Sequence, residues 1–154
     1  MTEVFLTRAI RRFLAEAFKL RQLENRAGER VVPKIINGYM PPKTPERAAR
    51  DYPLICVRAE GGTDDGDSCS CDVAIICGAY DSGDTELYGH DIAVEMMTTI
   101  RIALRKLPMA TLEDRYQLVG AIEWETDASQ PFPYWQVNML THWNFQTSRA
   151  TGEF

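Results

Sequence analysis

One stretch of the 154-residue chain has an apolar periodicity that only a helix satisfies. Between positions 93 and 107 the apolar residues recur at spacings of three and four, and Pro108 ends the pattern. A second stripe of the same period lies near the N-terminus and predicts a helix over about residues 2–24. Both helices are amphipathic, so each must pack its apolar stripe against another layer.

The remaining patterned segments have the period of two that is typical of β-strands. Residues 52–59 are apolar on both faces, which favours a position inside a sheet, whereas Pro33 marks residues 31–37 as an edge strand. Cys71 to Tyr80 predicts another strand, in which Cys71 and Cys77 share one face with core residues. Residues 116–146 alternate as a long hairpin.

Three segments read as irregular. Residues 40–51 are a Pro-rich connector, residues 60–68 form an acidic loop by composition, and residues 147–154 carry no pattern and are expected to fray. The order of elements is helix, three strands, helix, two strands. This order predicts a single α+β domain over residues 1–154, with one mixed or antiparallel sheet and the two helices packed against it.

The charges are distributed unevenly along the chain. Residues 1–50 hold eleven Lys/Arg and five Asp/Glu, a net charge of +6, whereas residues 51–154 have a net charge of −11. This division suits head-to-tail contact between copies of the chain, and it also suits a basic arm on nucleic acid. An acidic pI near 5.1 is unlike that of a dedicated nucleic-acid binder, and the basic residues of the first helix do not alternate with exposed aromatic ones.

The residues that would perform catalysis are not arranged for it. His90 and His142 are the only histidines, and neither a Gly-x-Ser-x-Gly elbow nor a Gly-rich phosphate loop occurs in the sequence. Cys69 and Cys71 have the wrong spacing for structural zinc, and the acids of residues 64–72 lack the order of a calcium loop. No apolar run approaches the roughly 18 residues of a membrane span. The sequence therefore predicts a non-catalytic protein with no cofactor, no metal and no membrane partner.

Several short motifs together resemble those of tail terminator proteins, also called tail-completion proteins, of long-tailed non-contractile phages. They are the sequence Gly-Tyr-Met-Pro-Pro-Lys at 38–43, Asp-Tyr-Pro at 51–53, Gly-Ala-Tyr-Asp at 78–81 and Gln-Pro-Phe-Pro-Tyr-Trp at 130–135. By order of elements the resemblance covers about residues 4–146. It implies a mixed sheet with flanking helices, in agreement with the pattern above.

The resemblance also implies a function. The family forms a hexameric ring that caps the finished tail tube, ends its polymerisation and presents a surface to the head-completion or connector protein. Genome DNA passes through the lumen without sequence readout. The implied location is the tail or neck of the virion, after assembly in the host cytoplasm. The alternatives are another ring-forming neck or head–tail connector protein, a tail tube protein, or a small cytosolic enzyme or ligand-binding domain.

Three groups of residues are candidates for contacts in such an assembly. The first helix presents a basic face to a subunit or tube, and the acidic loop orders on assembly or repels DNA. The turn before the last strand either presents an aromatic between two prolines to a partner or covers the end of the sheet with its aromatics. The candidate residues are Arg8, Arg11 and Arg12 on the helix, Asp64, Asp65 and Asp67 in the loop, and Phe132 and Tyr134 at the turn.

Overall fold

The computed structural model describes residues 2–24, 28–41, 44, 51–83, 88–127 and 132–146. Within these ranges the chain forms two α-helices, one short 3-10 helix and eight β-strands. In chain order the elements are α1 (Thr2–Leu20), β1 (Leu23–Glu24), β2 (Arg30–Val31), β3 (Lys34–Asn37), β4 (Leu54–Asp64), β5 (Ser68–Tyr80), α2 (Tyr88–Arg105), the 3-10 helix (Pro108–Ala110), β6 (Thr111–Leu112), β7 (Tyr116–Thr126) and β8 (Tyr134–Gln146).

Six of these strands form one mixed sheet in the order β3-β4-β5-β8-β7-β6. β3 is parallel to β4, and every other neighbouring pair is antiparallel. β1 and β2 pair with each other in a separate two-stranded sheet. The predicted α+β class is therefore confirmed, with the addition of a small second sheet that the sequence pattern does not indicate.

Both helices cover the same face of the six-stranded sheet. The stripe of α1 contributes Leu6, Ile10, Leu14 and Phe18, all with 0% of their surface exposed, because their spacing places them on one side of the helix. The corresponding stripe of α2 is equally buried, as are the alternate residues of β5 and β8 beneath it. No helix that the described residues form is long and apolar enough to span a membrane.

The largest side chain in this core is that of Trp143, whose indole carries a polar N–H group. Trp143 is 0% exposed, and its Nε1 donates to the hydroxyl of Thr141 at 2.8 Å. The Thr141 hydroxyl in turn donates to the backbone oxygen of Val73 at 3.0 Å. Because the buried N–H and hydroxyl both have partners, the indole enters the core without an unsatisfied donor.

Two boundaries of the first half differ from the sequence prediction. α1 ends at Leu20 and not near residue 24, because Leu23 leaves the helix to pair with Val31 and is buried there. The predicted strand over 31–37 is divided into β2 and β3 at Pro33, which has no N–H to donate to a ladder. The prediction that this segment lies at an edge is confirmed for β3.

The acidic segment 60–68 was predicted as a loop, and this prediction is wrong. β4 continues to Asp64 and β5 begins at Ser68, so the segment forms the end of a long hairpin. Pairing continues through Gly62↔Cys71 to Asp64↔Cys69 after a bulge between Ala59 and Gly61. The cross-strand register outweighs the glycine and aspartate content, which local composition alone assigns to a loop.

The C-terminal hairpin is confirmed. β7 and β8 pair from Gln117↔Asn144 to Thr126↔Val137, with a bulge between Val119 and Glu123. Gly120 lies within this bulge with a φ of +69°, a conformation that glycine adopts without a steric penalty. Most of the predicted connector over 40–51 and all of the predicted frayed tail over 147–154 lie outside the described residues.

The β4–β5 hairpin provides a test with two neighbouring glycines. A Cβ at Gly62 would overlap the backbone oxygen of Ser70, whereas a Cβ at Gly61 would meet no atom within 4 Å. We expect Gly62→Ala to lower the free energy of unfolding by about 1–3 kcal/mol, because the backbone must shift to admit the methyl group. The control Gly61→Ala should change it by no more than about 0.5 kcal/mol. Equal stabilities in urea titrations would show that the two strands are not paired at this height.

Candidate assembly interface

The three candidate acids lie at the turn that joins β4 to β5. Asp64 Oδ1 accepts the backbone N–H of Gly66 at 2.8 Å, and Asp65 Oδ1 accepts those of Asp67 at 2.9 Å and Ser68 at 2.8 Å. These donors, Ser68 first, lower the pKa of the Asp65 carboxyl because they stabilise its charged form. All of these residues are exposed. The acids therefore sit on a hydrogen-bonded turn that carries negative charge at one end of the sheet.

The three candidate arginines of α1 are exposed but not equivalent. Arg12 donates through Nη2 to the two carboxylate oxygens of Glu113 at 3.1 and 2.9 Å, which ties α1 to the turn after β6. With 63% and 47% of the two side chains exposed, this ion pair contributes at most about 1 kcal/mol. Arg8 and Arg11 have no ion-pair or side-chain hydrogen-bond partner in the described part of the chain. The unpaired positive charge of this face therefore comes from Arg8 and Arg11.

An exposed aromatic accompanies these arginines, contrary to the sequence prediction. Phe5 is 45% exposed and precedes Arg8 by three residues and Arg12 by seven, so all three lie on one side of the helix. The ring is exposed because Leu6 takes the buried position in this turn of α1. A partly apolar, positively charged surface of this kind has the composition of a protein contact.

Phe132 and Tyr134 lie at the opposite end of the sheet from the acidic turn, and their surroundings differ. Phe132 is 57% exposed and meets Trp135 edge to face, with 6.2 Å between the ring centroids. Tyr134 is half-buried between Tyr52 and Tyr80, with centroid distances of 5.5 and 5.3 Å. The exposure of Phe132 places its ring outside the core, whereas Tyr134 belongs to an aromatic row that closes this end of the sheet.

The face of the sheet that lies opposite to the two helices, which we call the open face, carries a group that the sequence analysis missed. His142 of β8 contacts Asp72 of β5 through Nδ1 at 2.6 Å and Glu123 of β7 through Nε2 at 3.2 Å. The hydrogen bond to Asp72 first, and that to Glu123 second, raise the pKa of His142. The three residues thus link three neighbouring strands. In the sequence, the only sign of this group is that each of its three residues lies at a polar position of an alternating segment.

A groove of about 640 Å³ crosses the open face and is lined by several charged side chains. Arg58 lies on one side, where its Nε donates to Glu60 at 2.8 Å and its guanidinium covers the ring of Tyr39 at 4.3 Å from the centroid. Further carboxylates come from Asp72, Glu123 and Glu125. Acids outnumber the single arginine, so the groove has an acidic lining.

The cysteines are buried and separate from these surfaces. All four are free thiols, and Cys71 and Cys77 lie in the helix-covered core, as predicted. Burial raises the pKa of Cys56 and of Cys71 to about 11, so both thiols are protonated at neutral pH. The described residues contain no cluster of three or more His, Cys, Asp or Glu side chains that could hold a metal ion.

No protein-family model matches this chain, and no curated protein matches it. The likeness to tail terminators therefore depends on the short motifs, and the surfaces above must be interpreted from their own chemistry.

The His142 group predicts a pH-dependent stability. The pKa of His142 is raised in the folded protein, so its bonds to the two carboxylates add to the free energy of unfolding. This stabilisation is fully present below the pKa of histidine in the unfolded chain, about 6.5, and is lost as the pH rises through the pKa in the folded protein. We expect the difference in melting temperature between the wild type and His142→Gln to be largest below about pH 6.5 and to shrink as the pH rises above this value. Asn144→Gln changes an exposed side chain of the same strand that does not titrate, so it serves as the control and should keep the wild-type pH dependence. A constant difference for His142→Gln across this range would contradict the assignment.

Proposed function

We propose that this chain is a structural protein of a long-tailed, non-contractile phage, a tail terminator that forms a six-membered ring on the end of the tail tube. In this role it ends tube polymerisation and offers a joining surface to the head-completion or connector protein. The observation that carries the proposal is that one domain presents two unlike charged surfaces. These are the acidic turn at Asp64 to Asp67 and the basic face of α1.

Two unlike surfaces are what a head-to-tail contact needs. An isologous dimer uses one patch on both subunits, so the basic and acidic groups would both have to lie within that single patch. A heterologous contact instead joins two separate surfaces, the basic face and the acidic turn of a neighbour, and its repetition forms a ring when the rotation between neighbours closes. The free charge of Arg8 and Arg11 supports this arrangement, because neither side chain is neutralised within the described part of its own chain.

The open face supports a passage for DNA. Its groove carries Glu60, Asp72 and Glu123 against Arg58, so a ring that turns this face inward has a wall that repels phosphates. Such a wall lets the genome move without binding to it, because attachment of proteins to the DNA backbone depends on Lys and Arg. The same acidic lining argues against a nucleic-acid-binding role for the open face.

Phe132 supports an axial contact with the tail tube. It lies at the end of the sheet, 57% exposed, and Pro133 follows it directly. An aromatic that is held against Trp135 loses little side-chain freedom on binding, which favours it as an anchor.

Charge reversal on α1 tests the head-to-tail contact. We expect Arg8→Glu combined with Arg11→Glu to weaken ring assembly, with a smaller loss at high salt where the attraction is already screened. Sedimentation velocity at low and high salt measures both effects. The charge-matched control Arg30→Glu with Arg101→Glu changes two exposed arginines elsewhere and should assemble normally. Equal assembly of the two double variants would remove the basic face from the proposal.

Truncation of Phe132 tests the axial contact. We expect Phe132→Ala to cost less than about 1 kcal/mol of stability, because a ring that is more than half exposed loses little burial. Its ring assembly should be normal, while binding to tail tubes that were assembled in a host lacking this chain should be lost. A loss of about 3–5 kcal/mol in unfolding free energy, with tube binding retained, would show a core role instead.

A further inference from the structure

The outer surface of the helix layer contains an apolar groove that the proposed function does not use. It lies between the C-terminal halves of α1 and α2 and has a volume of about 480 Å³. Its apolar lining comes mainly from Phe13, Ala17, Leu20, Ile102, Ala103 and Leu107. Leu20 is 92% exposed, which is unusual for a leucine that faces other apolar side chains.

The rim of this groove is basic. Glu16, the acid on the rim, is already paired with Lys19 at 2.9 Å. Arg21 and Lys106 also line the groove, and neither side chain has a partner in the described part of the chain. A ligand for this groove therefore combines a large apolar group with negative charge beside it.

The chain itself presents such a group on β7. Trp124 is 48% exposed, and its neighbours Glu123 and Glu125 are exposed carboxylates. Among the described strands only β6 flanks β7 on its outer side, and β6 pairs no further than Tyr116 and Gln117. The Glu-Trp-Glu sequence thus stands on an open sheet edge, where a neighbouring molecule can approach it.

The two surfaces have matching geometry as well as opposite charge. Trp124 pairs with Met139 and Glu125 with Asn138, so the indole points to the helix side of the strand and the carboxylates to the open face. Because the indole and the carboxylates point to opposite sides of β7, a molecule that binds the indole in its groove can contact the carboxylates only around the free edge of this strand. Arg21 and Lys106 have the long, flexible side chains that such a contact requires.

We propose that Trp124 of one copy inserts into the α1–α2 groove of the next copy, with Glu125 against the basic rim. This inference rests on the proposed function for its self-assembly and adds a second pair of contact surfaces to the charged pair named there. Because the groove and the Trp124 edge are different patches, the contact is heterologous and repeats around a ring. Tryptophan is enriched among the hot spots of protein–protein contacts.

Complementation between two defective variants tests the contact directly. Trp124→Ala removes the inserted side chain and keeps the groove. Leu20→Glu blocks the groove at a side chain that folding does not bury, and it keeps Trp124. We expect each variant alone to remain monomeric, with self-association weakened about 30-fold or more. An equimolar mixture should form one-to-one heterodimers, because the tryptophan of the Leu20→Glu variant can enter the groove of the Trp124→Ala variant. No larger species should form, because this pair has no second intact groove and no second tryptophan.

Controls separate this contact from other effects. Glu125→Lys leaves the indole in place and should weaken association through repulsion from Arg21 and Lys106, while Phe132→Ala should assemble as the wild type does. Normal assembly of Trp124→Ala, or loss of tube binding alone, would overturn the inference and leave the ring intact. Filaments or dimers of the wild type that depend on Trp124 would sustain the inference and overturn the ring. A wild type that never associates would overturn both.

Discussion

The hydrogen-bonded pairing of β5 with β4 on one side and with β8 on the other sets which residues face the helices and which form the open face. All thirteen residues of β5 pair with β8, and its odd-numbered positions carry the core beneath both helices. Its even-numbered positions form part of the open face, where Asp72 lies beside His142 of the neighbouring strand. One end of the strand places the acidic turn and the other end places Tyr80 in the aromatic row. A change in this register by one residue would exchange the two faces and dismantle every surface discussed above.

The local sequence pattern was sufficient to predict which helices and strands form, but not where each of them begins and ends. The helix periods of α1 and α2 and the alternation of β7 and β8 predicted the α+β class, because burial of one face imposes those periods directly. The predicted loop at 60–68 failed because its pairing partners, near Cys71, decide its conformation and its own composition does not. The end of α1 at Leu20 depends on a similar contact between Leu23 and Val31. Pairings of this kind are set by tertiary context, which a single sequence does not display.

For the candidate residues too, local pattern predicts exposure, whereas tertiary contacts decide which residues lie together. Exposure of Arg8 and Arg11 follows from helical period alone, whereas the bond between Arg12 and Glu113 joins residues that are 101 positions apart. His142 and Asp72, 70 positions apart, could not be paired before the strand register was known. The groove between α1 and α2 likewise arises from the packing of two helices, each of which reads only as amphipathic. The chemistry of single residues was therefore visible in the sequence, and their combination into surfaces was not.

The proposed function requires association into a closed ring, which the mass and shape of the purified protein reveal. Light scattering with negative-stain microscopy, at high protein concentration and both with and without tail tubes, measures these properties. We expect closed rings of six chains, each of 17.5 kDa, with a central opening. A particle of 17.5 kDa at every concentration, with no ring on the ends of tail tubes, would contradict it.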